Sequence, residues 1–583
     1  MNIKKASYIF SFATILTVIV LTIIVLSKDK VSDQPQQEVS GMLMQGQIDL
    51  NVENLALLCK IWGFMKYYHP EVRAGKYDWD KELFSIIPSF SCISSKEKRN
   101  EILTEWVNKF DVPMEPGEKI IFSSDSIKMY PDINWIEDTV SLGTVLSDKL
   151  EKIYDAERDT LSYYVRLQHE VKNAIFKHEN DYPQCSLPNI NYQLLALFRL
   201  WNAIQYYYPY KYLFRENWDE KLLKYIPLFL KIANKEDYVN ALKMFIAEIH
   251  DAHAHIIGSK SKQFLVPVMI RFIEGKAIVT DYYEISSSHQ GSIDNSLQIG
   301  DIILRVNNEP VDSLIKRVTP YISGSNKASL FRDIVTLELL WSNDKELYVD
   351  YERDGISNKT KIKCIPSKDV IFTMIQKTYP LITTLPSNIL YLYMGSSIGG
   401  EMPKEIKEKG VIIDLRNYPS SKKIKGYMNY ELLYPSSTNC ALATNGSLLY
   451  PGLFTFDQTS KVGKKNEEYY KGEKVILVNE FTQSHAEFTT MRYKQAPNAI
   501  VMGSTTAGAD GNYSIITLPG GLKAIFTGLG IYYPDKSETQ QIGIVPDIEV
   551  KSTIQGIREG RDEVLEAAID YINKKVATSG TSK

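Results

Sequence analysis

Two short stretches of the chain hold residue types that together could carry out acyl transfer. The first is Glu480-Phe481-Thr482-Gln483-Ser484-His485-Ala486-Glu487, which follows the apolar run Lys474-Val475-Ile476-Leu477-Val478-Asn479 and leads into a helical pattern. A buried strand, a sharp polar turn and a helix form the arrangement that presents a nucleophile at a helix N-terminus. Ser484 equally fits a plain N-cap, with Glu487 three residues on as its capping-box partner. Both roles use one position, so the serine is a candidate nucleophile and a candidate cap at once. The second stretch is Glu248-Ile249-His250-Asp251-Ala252-His253-Ala254-His255-Ile256. An imidazole titrating near neutrality can take the proton of a serine hydroxyl and return it to a leaving amine. Such a histidine cluster also raises zinc. Positions i, i+3 and i+5 do not share one face of a helix or a strand, and no distant Cys or His motif completes a set. No metal and no other cofactor is expected.

The elements that must position these residues follow from periodicity. After a polar stretch over residues 28–48, "LCKIWGFMKYYHP…YDWDKELFSIIP" from Leu58 is echoed by "LFRLWNAIQYYYP…ENWDEKLLKYIP" from Leu197. Trp62 matches Trp201, Pro70 matches Pro209, Trp79 matches Trp218 and Pro88 matches Pro227, each pair separated by the same 139 positions. Apolar residues recur at helical spacing in both copies, which predicts two related helical units. Shared positions read as scaffold. The histidine cluster ends the second copy only, since the first runs into "KFDVPMEP" at the equivalent place.

From about Phe264 the pattern changes to short strands, "LVPVMIRF", "KAIVTDYY" and "LQIGDIILRVNNEPV", then a helix around Val311 to Thr319 and the strand "KELYVDYERDG". This module resembles a PDZ domain, a fold that adds extended peptides to a sheet edge, although the glycine-containing loop that grips a terminal carboxylate is not evident. From about residue 369, the apolar runs "NILYLYMG", "GVIIDLRN", "KVILVNE" and "AIVMGS" alternate with helical stretches and predict an α/β layer with a largely parallel sheet. Chemistry in such sheets gathers at the carboxyl ends of the strands, where "DLRNYPSS" and "NEFTQSHAE" both lie.

These motifs, "VILVNEFTQSHAEFTT", "NAIVMGSTTAGADG" and "TQQIGIVPDIEV" behind a "GVIIDLR" strand and a PDZ-like module, are similar in kind and order to those of the C-terminal processing (tail-specific) serine peptidases. The similarity spans roughly residues 190–575. It implies a multidomain α/β protein: helical repeats, a PDZ-like β-rich module and an α/β (crotonase-like) protease core. The division is a signal anchor in 1–30, a linker in 31–48, a first helical domain in 49–180, a second helical unit with the histidines in 188–262, the PDZ-like domain in 263–367 and the core in 368–576. The resemblance gives the nucleophile's role to Ser484, the first serine of the family's S-x-S-E pattern. Its best-known branch takes a lysine base from G-K-G, where this chain has Gly508-Ala509-Asp510-Gly511. The tricorn-like branch takes a histidine from D-x-H, which Asp251-Ala252-His253 matches, so His253 is the expected base, with His250 and His255 as second choices. The third catalytic position falls on Gln540, with Glu538 and Asp251 as substitutes. The oxyanion would be held by the N–H groups of His485 and of Ser420, the latter where the family has a glycine pair. "TTAGADG" lacks the lysine and spacing of a phosphate loop and reads as a wall of the peptide cleft.

Bulk properties agree with an extracytoplasmic enzyme. The chain has 583 residues, more than one core can use, with 44% hydrophobic and 23% charged residues and a net charge of −3. That balance suggests no nucleic-acid partner. The five cysteines are scattered and form neither a disulfide framework nor a zinc motif. Lys4-Lys5 precede Tyr8 to Leu26, an apolar run long enough to cross a bilayer, which predicts a membrane anchor with the bulk of the chain outside the cytoplasm. A cleaved signal peptide is the alternative. The expected activity is serine endopeptidase, with polypeptide as substrate. A catalytically silent peptide-binding protein on the same scaffold, or a hydrolase of non-peptide esters, are the rivals. The oligomeric state is not encoded in any of these patterns.

Overall fold

The computed structural model describes residues 51–580 apart from 91–92, 94, 118–122, 260–261, 286–295 and 372–378. The apolar run Tyr8–Leu26 and the linker after it lie outside the described residues.

The repeat is visible as two three-helix units. Val52–Tyr68, Trp79–Ile86 and Lys96–Asn108 form the first, and Ile190–Tyr207, Trp218–Leu230 and Lys235–Ala247 the second. Every one of these helices begins at an Asn, Asp or Ser whose side chain accepts a backbone N–H of the first turn. In each unit two tryptophans exchange hydrogen bonds: Trp62 and Trp79 donate to each other's carbonyls at 3.1 and 3.0 Å, and Trp201 and Trp218 do the same at 3.1 and 3.2 Å. The indole N–H groups are satisfied inside the core, which is why the tryptophans are shared. The two long helices pack against each other at Gly63, where an added Cβ would lie 1.7 Å from Asn202 Oδ1. Asn202 is the equivalent position in the second copy, and its amide donates to Cys59 O at 3.0 Å. One copy leaves the space and the other fills it.

The β-rich module has sheet order Ile356–Lys363, Glu346–Arg353, Ile302–Val306, Lys276–Tyr282, Val268–Ile273, with antiparallel neighbours throughout. Helix Val311–Val318 packs its apolar face on that sheet.

The third layer is a sheet of order Ile382–Leu385, Ile389–Tyr393, Gly410–Asp414, Glu473–Val478, Ala499–Gly503, Ile548–Glu549. Its first pair is antiparallel and the others are parallel. Gly410–Asp414 is buried at every residue and Glu473–Val478 at all but its first, because helix Glu563–Gly580 covers one face while His485–Tyr493 and its surroundings cover the other. Two further antiparallel elements frame the site. Thr438–Gly446 pairs with Phe454–Val462, and a hairpin, Tyr513–Leu518 with Leu522–Thr527, receives strand His255–Ile257 as its third member.

Candidate active site

Ser484 sits where strand Glu473–Val478 has turned and helix His485–Tyr493 begins. The turn is built from its own side chains: Asn479 N–H donates to Thr482 Oγ1 at 3.0 Å, Thr482 Oγ1 donates to Leu415 O at 2.9 Å, and Phe481 N–H donates to Asn479 Oδ1 at 2.9 Å. The serine has φ +57° and ψ −120°, a conformation that costs a residue with a Cβ roughly 1–3 kcal/mol. Its N–H donates to Ala509 O at 2.8 Å and reaches Glu487 Oε2 at 3.1 Å. Glu487 also accepts from Gly508 N–H at 2.8 Å, Ala509 N–H at 3.1 Å and the Thr506 hydroxyl. One buried carboxylate therefore ties the first turn of the helix to the 506–509 loop. Burial raises its pKa, against the opposing pull of those donors. Ser484 is thus the N-cap of the helix, in a capping box with Glu487.

His253 lies on the short loop between helix Lys235–Ala247 and strand His255–Ile257. That strand pairs with Leu522–Thr527 in the register His255↔Ile525, and continuing it by two residues brings Thr527 opposite His253. His253 Nδ1 is 2.9 Å from Thr527 Oγ1, and Thr527 Oγ1 donates to Asp251 Oδ1 at 2.9 Å. Asp251, fully buried, also accepts from Thr527 N–H at 2.7 Å, His253 N–H at 3.0 Å and Gln540 Nε2 at 3.3 Å. A carboxylate surrounded by donors must be the acceptor, so the threonine hydroxyl points at Asp251 and accepts the His253 Nδ1 proton. That leaves Nε2 as the lone-pair nitrogen. It is buried and has no hydrogen-bond partner among the described residues, Ser484 Oγ included. Burial lowers the His253 pKa, while the Asp251 carboxylate, 3.9 Å from Nδ1, pulls the other way.

Gln483 Nε2 donates to Ala252 O at 3.3 Å, which joins the residue before the serine to the residue before the histidine. The β-rich module holds both loops: Ser323 Oγ accepts Asp251 N–H at 3.0 Å, Ser325 Oγ accepts Ala252 N–H at 2.7 Å, and Arg271 pairs with Glu480 at 2.8 Å.

Gln540 reaches Asp251 and not the imidazole, so it stands one step further back than its expected third position. Glu538 is turned away, bonded to Lys128 at 2.6 Å and to the Tyr212 hydroxyl. His250 is exposed, and His255 is fixed through Nδ1 to His253 O at 2.9 Å. The N–H of Ser420 donates to Met394 O at 2.9 Å, so its direction is already committed. The His485 ring packs by the Tyr427 hydroxyl, and burial lowers its pKa to about 4. Among the described residues, no group of three His, Cys, Asp or Glu is placed to hold a metal. Thr527 carries no local signal: it ends a strand buried at every residue but Lys523, and only the pairing with His255–Ile257 brings it to the histidine. Asp510 lies in the stretch expected to wall the peptide cleft. It is buried, its Oδ2 lacks a partner, and burial together with the Glu487 charge raises its pKa far above the usual range.

Residues 401–550 match the model of peptidase family S41. No curated protein matches the sequence. Among solved structures, mature CPAF complexed with lactacystin aligns at 13% identity over 68% of this chain and 99% of that one, with a TM-score of 0.51. Mature CPAF alone aligns at 14% identity over 67% and 97%, with the same TM-score of 0.51. The tricorn protease aligns at 14% identity over 67% of this chain and 37% of that one, and its TM-score of 0.33 is too low to bear on which branch the chain follows. The family match, which contains Ser484, and the shared fold support a serine-type peptidase.

Proposed function

We propose that this serine-type peptidase cleaves polypeptides through an acyl-enzyme, with Ser484 as nucleophile and His253 as base. The observation that carries the reading is the state of His253: Nδ1 is engaged by the Thr527–Asp251 pair while Nε2 is buried and unpartnered. In the reaction, Ser484 Oγ attacks the scissile carbonyl and His253 Nε2 takes its proton. Asp251 supports the imidazolium through Thr527 and by its charge. The N–H of His485 donates to the developing oxyanion at the positive end of the helix. Collapse breaks the C–N bond, and the departing amine leaves with the proton from His253. A water then repeats the sequence on the ester and regenerates Ser484. The lysine of the better-known branch has no counterpart, since Asp510 stands in that stretch, and a histidine base is what keeps the serine competent.

The β-rich module is read as PDZ-like, steadying the catalytic loops and presenting extended chain at its sheet edge. The apolar run Tyr8–Leu26 supports anchorage with the catalytic domains outside the cytoplasm.

The test is covalent labelling of the full-length chain in membranes or detergent with a fluorophosphonate probe, read by intact mass and peptide mapping. One adduct on Ser484, lost in Ser484→Ala and strongly slowed in His253→Ala, is the expected result. A folded chain that takes no label leaves the peptide-binding scaffold as the reading. Small esters turned over while peptides are not would move the substrate class to non-peptide acyl groups.

A further inference from the structure

The oxyanion position has one committed backbone donor too few. Of the two amides that the motif order would assign to it, Ser420 N–H is spent on Met394 O at 2.9 Å, and the next amide, Ser421 N–H, goes to Pro419 O at 2.9 Å. His485 N–H remains. The half-buried phenol of Tyr418 lies against that same N–H and against the Ser484 side chain, with its ring centroid 6.2 Å from that of His485. The phenol is thus a neighbour of both the Ser484 side chain and the first residue of the helix.

We propose that the Tyr418 hydroxyl is the second oxyanion donor, replacing the amide of Ser420. The inference rests on the Ser484 peptidase reading. When a peptide binds, its carbonyl oxygen takes the His485 N–H and the phenol turns its O–H toward the same oxygen. The loop that bears Tyr418 is braced for this. Leu415 N–H donates to Leu477 O at 3.0 Å, and Arg416 forks onto Asp414 and Asp562 at 2.6 and 2.7 Å. Pro419 stiffens the backbone on the other side. Burial raises the Tyr418 pKa, with the nearby Asp510 carboxyl adding to it, so the phenol keeps its proton as a donor must. A neutral phenol serving an oxyanion in an apolar site is established chemistry elsewhere.

The experiment compares p-nitrophenyl ester hydrolysis and fluorophosphonate labelling in the full chain, wild type against Tyr418→Phe, with Ser484→Ala as control. Loss of one oxyanion donor is expected to lower kcat by about 10²–10³-fold with KM little changed. A fluorinated tyrosine at 418, which keeps the shape and lowers the phenol pKa, is expected to move the alkaline limb of kcat to lower pH. This second measurement decides the matter if Tyr418→Phe does not fold. Ser484-dependent turnover that is unchanged or faster in Tyr418→Phe, or an alkaline limb that stays in place, overturns this inference alone. Turnover that survives in Ser484→Ala overturns the peptidase reading and this inference with it.

Discussion

Thr527 links His253 to Asp251 with a single hydroxyl, accepting from one and donating to the other. Without it the imidazole loses the partner that selects its tautomer, a fault that costs about 10⁴-fold where a triad carboxylate is made an amide. Thr527→Val keeps the volume and removes the hydroxyl, and should lower the rate of fluorophosphonate labelling by roughly 10²–10⁴-fold, while Thr527→Ser should restore most of it. Equal labelling in the valine variant would remove Thr527 from the mechanism. On the proposed mechanism the histidine also sets the acid limb. Burial holds its pKa below the ordinary 6.5, and only the neutral form accepts a proton. Activity should therefore persist below pH 6.5 and fall as pH drops through the lowered value, which a pH profile of kcat/KM checks.

At the scale of elements, the junction of strand Glu473–Val478 with helix His485–Tyr493 holds a strained residue. Ser484 holds φ +57° and ψ −120° without being glycine. Ser484→Gly should abolish labelling and yet stabilise the fold by about 1–3 kcal/mol, whereas Ser484→Ala keeps the strain and gains nothing comparable. Thermal melts of the two inactive variants separate these outcomes. Glu487 is the clamp that opposes the strain. Removing it in Glu487→Ala strands the Gly508 and Ala509 N–H groups and the Thr506 hydroxyl, each worth about 1–3 kcal/mol when buried and unpaired. A loss of at least about 3 kcal/mol in denaturant unfolding is expected.

Across the whole molecule the two helical copies are held together by charge as well as packing. Lys66 pairs with Glu179 at 2.6 Å, Arg199 with Glu179 at 3.0 Å, and Arg199 also with Asp80, all with side chains at most 8% exposed. Lys66→Met leaves Glu179 with one cation fewer in a dry site and should cost about 3–5 kcal/mol, although nothing in it touches Ser484. The first copy also carries an acid sensitivity. Burial lowers His69 from 6.5 to about 4, so the unfolded chain binds a proton that the folded chain refuses over that interval. Stability should fall as pH drops from about 6.5 to about 4, with His69 contributing roughly 3 kcal/mol and His69→Gln flattening the slope of stability against pH.

The amino-acid sequence by itself determined what depends on near neighbours. Helical spacing and matched Trp and Pro positions revealed the two copies, and their constant offset recurs in the exchanged hydrogen bonds of Trp62 with Trp79 and Trp201 with Trp218. Continuous apolar runs announced the sheet strands, and the polar turn before a helix singled out Ser484. The tertiary structure decided what depends on register and direction. Thr527 meets His253 because a strand late in the chain pairs with His255–Ile257, and strand pairing at that separation leaves no local trace. Gln540 and Ser420 stand at the expected positions in the chain, but one side chain reaches Asp251 and one amide points at Met394. Which way a buried donor points is set by the nearest acceptor in space, and the fold chooses that acceptor. Tyr418 follows from the same rule, since a phenol can reach the oxyanion position only once its loop has been laid beside the first turn of the helix.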